Sequence, residues 1–351
     1  MKLYLNRLIR LVLLLSVMVG LVACKPNPQD DIALFQPFIT ENINQKSDDP
    51  YISSTVKPGD KMYDILVNIQ HGRHDLAATK LQAMIEGNDS DAMVWYAKLI
   101  YRSSINNRPK ALSLYQTAME DDNPYAYIML SPGLISSGCA RYFGEKNCTQ
   151  EHFNRAIELF KPLAAQGDLR AQYFLLKQQQ LDQSKDTRAQ YIQEVIRFAQ
   201  AHYYQPLMDY VNTILVRPEG KVKYEAKTPE QYQLVIQLLT IAANNNYIPA
   251  LKRRLEVDVD EEKFNQLMEQ LTRLGSTFEI YENYFNSLDE YERYYNSTLF
   301  KRLTGDNKLS SSYKATDKEE SIVSEKIEKI ISSMTPMVYI DGFTSRDDWV
   351  D

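Results

Sequence analysis

Ala156-Ile157-Glu158-Leu159-Phe160-Lys161-Pro162-Leu163-Ala164-Ala165-Gln166-Gly167-Asp168-Leu169-Arg170-Ala171 is the stretch that decides the fold. Ala156, Leu159, Phe160 and Leu163 fall on one face of a helix of barely four turns. Gly167 supplies a left-handed C-cap, and Asp168 supplies a side chain able to cap the next helix, whose own stripe starts at Ala171. A helix, a tight turn and a second helix make the joint of a helical repeat. Arrays of such units bind partners far more often than they do chemistry.

The joint recurs. Ala111, Tyr115, Ala118, Asn123 and Ala126 reproduce the offsets of Ala156, Phe160, Leu163, Asp168 and Ala171. So do Tyr191, Val195, Phe198, Tyr203 and Pro206, and then Leu234, Leu238, Ile241, Asn246 and Pro249. An earlier copy, Leu81 to Asn88, leads into Ala92 with what reads as one extra residue in its turn. Helix starts at 92, 126, 171, 206 and 249 are spaced 34, 45, 35 and 43 residues apart. A period drifting in this range is that of helix-turn-helix solenoids. The helices after each joint keep a face as well: Ala92, Tyr96, Ala97 and Ile100 are matched by Ala126, Leu130, Ser131 and Leu134, then by Ala171, Leu175, Leu176 and Gln179. The expected fold is all-α, a right-handed superhelical solenoid with an extra C-terminal helix and tail.

The pattern resembles the Sel-1-like repeat, a relative of the tetratricopeptide repeat. Leu163-Ala164-Ala165-Gln166-Gly167-Asp168 and Ile241-Ala242-Ala243-Asn244-Asn245-Asn246 are its nearest counterparts of the family's Ala-Ala-x-Gly-Asn turn. The family's Leu-Gly pair on the first helix is missing. The likeness covers roughly residues 59 to 260.

Residues 1–24 read as an address. Lys2, Arg7 and Arg10 precede a short apolar run from Leu11 to Leu21, which is closed by Leu21-Val22-Ala23-Cys24. The run is short for a membrane span of about 20 residues. An ordinary signal peptide or an N-terminal anchor fits that much. The Leu-Val-Ala-Cys ending, however, matches the bacterial lipobox, in which Cys24 carries the lipid and becomes the mature N-terminus. Lys25 after it, in the enterobacterial sorting pattern, directs such a protein to the outer membrane, with the body on the periplasmic side. Removing the leader takes the formal charge from −6 to −9. That acidity argues against nucleic acid, which requires a basic stripe.

Residues 25–58, punctuated by Pro26, Pro28, Pro37, Pro50 and Pro58, read as a flexible tether with a small apolar knot at Leu34, Phe35, Phe38 and Ile39. The repeats are expected over 59–275, a tyrosine-rich capping helix over 276–303, and a linker, helix and tail over 304–351. In the tail Thr316 and Glu319 form a capping-box pattern, and Met337 to Ile340 suggests a short strand or extended clip. Helix starts are marked at Thr228-Pro229 and at Asp260-Glu261-Glu262. His71 and His74 have the spacing of a metal pair, but Gly72 between them marks a turn, and no third ligand stands near.

With Cys24 lipidated, Cys139 and Cys148 are the remaining thiols, at two ends of a helix–helix connection. Export places them where thiols oxidise. A bridge would contribute about 2.5–3 kcal/mol on the loop-entropy model. Some exported Sel-1-like proteins bridge paired helices in a similar way.

No nucleophile motif, phosphate loop or metal spacing assembles a catalytic site, and no cofactor is implied. The expected function is a membrane-anchored periplasmic scaffold that binds an envelope protein. An immunity lipoprotein neutralising a secreted phospholipase-type toxin is the alternative that the resemblance leaves open. Trp95, Tyr127 and Tyr173 fall off the packing stripe and are the expected solvent-facing anchors for the partner.

Overall fold

The computed structural model describes residues 26–132, 138–219, 223–257 and 260–350. Cys24 and the rest of the leader lie outside the described residues. Within them the chain is all-helical, apart from one isolated bridge between Val216 and Glu225. The helices are α1 (Pro28–Asn42), α2 (Tyr63–Gln70), α3 (His74–Glu86), α4 (Ser90–Ile100), α5 (Arg108–Glu120), α6 (Pro124–Met129), α7 (Cys139–Phe143), α8 (Gln150–Ala165) and α9 (Leu169–Gln178). They continue with α10 (Lys185–Gln200), α11 (Gln205–Ile214), α12 (Pro229–Asn244), α13 (Ile248–Leu255), α14 (Glu261–Arg273), α15 (Phe278–Asn286), α16 (Glu290–Thr304) and α17 (Asp317–Ser333). From α2 onward most helices pack on their neighbours in sequence.

One backbone device makes the turns. Gly72, Asn88, Asp122, Gly167, His202, Asn246 and Gly275 all adopt positive φ, between 55° and 96°. After each, the next amide donates to the carbonyl five residues back: Arg73 to Asn68, Asp89 to Met84, Asn123 to Ala118, Asp168 to Leu163, Tyr203 to Phe198, Tyr247 to Ala242 and Ser276 to Leu271. That is the Schellman closure of a helix C-terminus. Asp89, Asn123 and Asp168 then cap the following helix through their side chains. The central five left-handed residues are spaced 34, 45, 35 and 44 apart.

Two registers in the sequence reading shift. Asn88, not Gly87, is left-handed, so Ala92 stands in the same relation to its turn as Ala171 does, with no extra residue. At the last copy the register moves by one. Tyr247 is the N-cap, and the completely buried Val235, Leu239, Ala242 and Ala250 take the places expected of Leu234, Leu238, Ile241 and Pro249. The first shift arises because glycine is the usual left-handed residue, the second because the neighbouring residues are apolar too.

The segment expected to be a tether is instead ordered and packed. Asn27 caps α1, Pro28 opens it, and Phe35, Phe38 and Ile39 are buried against α10 and α12. Three such side chains contribute about 1.5–3 kcal/mol each, enough to offset the ordering of a few turns. Asp31, fully buried, receives Arg188 at 2.6 Å and the Tyr210 hydroxyl at 3.0 Å. Beyond α1, the amide of Ser47 donates to Asn244, and Asn246 donates to the carbonyls of Ser47 and Asp49.

The capping helix expected over 276–303 is two helices. Ser287 and Asp289 break it: the Ser287 hydroxyl accepts from the Asp289 amide, and Asp289 caps α16. Together with α17, whose Thr316–Glu319 capping box closes in both directions, α15 and α16 enclose a small core of their own around Leu299, Phe300, Val323 and Ile327.

Candidate functional site

The C-terminal tail organises the interior. After α17 it runs extended, the amide of Thr335 donating to Arg273 and that of Met337 to Leu274. Gln70, at the end of α2, clamps it: its Nε2 donates to Met337, and its Oε1 accepts from Tyr339 and Ile340. Thr55 donates from its amide to Val338 and from its hydroxyl to Ile340. Met337, Val338, Ile340 and Trp349 are completely buried. Val338, Ile340 and Trp349 complete the core of α2–α4, while Met337 belongs to the core of α10–α14. The chain's first and last joints therefore meet, with Nε2 of His71 lying 2.7 Å from the carbonyl of Gly275.

Further on, the tail turns at Asp341, whose carboxylate accepts from the amides of Phe343 and Thr344 and from the Tyr203 hydroxyl. Gly342 presses on the Tyr125 ring so closely that a Cβ would sit 2.3 Å from it. Phe343 stacks on Phe174 at 5.2 Å and lies beside Phe160 and Tyr125. Lys98, buried inside α4, donates to the carbonyls of Gly342 and Thr344 and lies 4.9 Å from the Trp95 ring and 5.3 Å from that of Trp349. Burial pushes its ammonium down to about 8, with the charge of Asp341 pulling the other way.

This filling bears on one of the three expected anchors, Trp95, and the other two are not free on the surface either. Trp95 is 7% exposed and packed on Trp349. Tyr173 is also 7% exposed; its hydroxyl donates to Asp209 at 2.6 Å, and burial holds it protonated. Tyr127 is half-buried, its hydroxyl donating to Met119. Trp95 and Tyr173 fall off the helix–helix stripe because they pack on other surfaces: Trp95 on the tail, Tyr173 on Phe198 and Tyr203. Gln70 and Lys98 went unnoticed because a lone glutamine or lysine carries no signal that a tail some 240 to 270 residues away will lie over it.

What remains open is a cleft of about 570 Å³ between α9, α11 and α13 on one side and the tail on the other. Tyr173, Met208, Tyr339 and Phe343 give it apolar walls; Lys177, Asn212, Arg253 and Asp348 give it polar ones. Asp209 lines it, holding the Tyr173 hydroxyl and the Gln205 amide, with Lys177 at 3.5 Å. Asp348 is pushed up from the usual carboxylate range by burial and by neighbouring Asp347.

The sulfurs of Cys139 and Cys148 lie at bonding distance, 1.91 Å, across the connection that leads into α8. His71 closes α2 and His74 opens α3, as turn residues do. Among the described residues no group of three or more His, Cys, Asp or Glu is arranged to hold a metal ion, and no helix is long and apolar enough to cross a membrane.

Comparison with protein-family models, with curated proteins and with solved structures finds no match to this chain.

Proposed function

We propose that this protein is a lipid-anchored protein-interaction module of the bacterial cell envelope. In this reading Sel-1-like repeats wind into a right-handed solenoid, held to the periplasmic face of the outer membrane by lipid on Cys24. The repeated left-handed joints with drifting spacing support the repeat assignment. The observation that carries the binding role is the cleft beside Asp209. It combines apolar walls with polar groups that converge from three helices, the composition of a recognition site. The tail borders the cleft but leaves it open, whereas it packs closely on the face beneath Trp95.

The test places obstacles in the cleft rather than truncating its core. Asn212 and Lys177 are exposed at its rim. Asn212→Trp and Lys177→Glu should each weaken binding of an isolated envelope partner at least tenfold, about 1.4 kcal/mol, without lowering the unfolding temperature. Unchanged affinity in both variants moves the interface away from the cleft.

A further inference from the structure

Three residues of chain advance separate Cys24 from Asn27, the cap of α1. Consecutive Cα atoms are 3.8 Å apart, so Asn27 lies within about 11 Å of the lipidated residue, whatever path the chain takes. α1 in turn is fixed to the body. Arg188 grips Asp31 near the start of both α1 and α10, and the Thr228 hydroxyl, at the cap of α12, meets the Gln29 side chain at 2.9 Å. At the far end Asn244, the last residue of α12, donates to Ile43. The three helices thus begin together, and α1 and α12 run in the same direction.

From this we infer that the protein docks directly on the bilayer surface, in one orientation, through the end where α1, α10 and α12 begin. The inference rests on the lipid anchor proposed above. The occupant of this face is the lipid headgroup layer to which the anchor belongs, and the length of chain outside the structure is what selects it. Charge plays a lesser part: Lys185 and Lys227 face outward here, but Asp186 and Glu230 offset them. The opposite end of α12, with the joint at Asn246 and the segment around Ser47, lies about 24 Å along the helix from this end, because 16 residues rise 1.5 Å each.

The experiment uses the full lipidated chain in phosphatidylethanolamine/phosphatidylglycerol vesicles doped with a headgroup nitroxide lipid. A fluorophore is placed on Lys227→Cys, at the near end, or on Lys46→Cys, at the far end; both positions are exposed. The label at 227 should be quenched at least about threefold more than the label at 46. Inserting twenty Gly/Ser residues after Lys25 should erase the difference. Equal quenching in the uninserted, vesicle-bound protein overturns the docking geometry while leaving the anchor standing. Protein that incorporates no labelled palmitate and floats free of the vesicles overturns the anchor, and the inference falls with it.

Discussion

The indole rings of Trp95 and Trp349 lie 5.5 Å apart at 42°, joining the fourth helix to the end of a tail about 250 residues further along the chain. With Lys98 against both rings, the pair closes the core of α2–α4. Trp349→Ala should lower the unfolding free energy by about 3–5 kcal/mol in denaturant titrations. Trp95→Ala should do the same, and the double variant should fall short of the sum by about 0.5–1.5 kcal/mol. Strict additivity would mean that the two rings act independently.

Lys98 gives stability a pH dependence. Its folded pKa of about 8 lies below the roughly 10.4 of an unfolded lysine. Between those values the unfolded chain holds a proton that the folded one has released, so stability rises with pH across that window. Lys98→Met removes this term. From pH 7.5 to 9.5 the wild type should gain about 1–3 kcal/mol relative to the variant, and a constant difference would refute the assignment.

Glu279 acts in the reverse sense. Burial lifts its carboxyl to about 7 from the usual 4.5, so the folded chain keeps a proton between those values that the unfolded one loses. Stability from this group is present at low pH and lost as pH climbs through 7. Glu279→Gln should stabilise by about 1–3 kcal/mol at pH 8 and hardly at all at pH 4. Equal effects at both values would remove the titration as the cause.

Cys139 and Cys148 should resist alkylation in the native protein until a reductant is added. Replacing both by serine should cost about 2.5–3 kcal/mol. Free alkylation of the unreduced native protein would show that the thiols are unpaired.

Asp31→Ala leaves Arg188 nearly buried without its carboxylate, which should cost about 3–5 kcal/mol. Amide exchange in α1 should accelerate more than in α4. Replacing both partners with leucine should cost clearly less, since no charge is then stranded.

Much of the helix punctuation was readable. Gly167 with Asp168, Thr228 with Pro229, Asp260, and Thr316 with Glu319 announce their caps through local chemistry, and the structure places those bonds where expected. The left-handed turns at Asp122 and His202 carry no glycine, so the residues at repeat offsets around them, with Asn123 as a cap beside the first, marked those joints. Long-range order was not readable. Phe35, Phe38 and Ile39 fall in a proline-marked polar stretch whose average composition hides one good helical face. The tail's extended backbone is held by Gln70 and Thr55, whose meaning depends entirely on what crosses them. Trp95 and Tyr173 are nearly buried for the same reason: an aromatic off the repeat stripe reads as exposed only if nothing else covers it.

The tail also sets the order in which this molecule can be completed. A chain that emerges N-terminus first presents α2–α4 with the Trp95 face uncovered until Val338, Ile340 and Trp349 arrive. At 5–20 residues per second, synthesis alone imposes a delay of about 13–50 s across that interval. During it the early helices lack the layer that Val338, Ile340 and Trp349 supply.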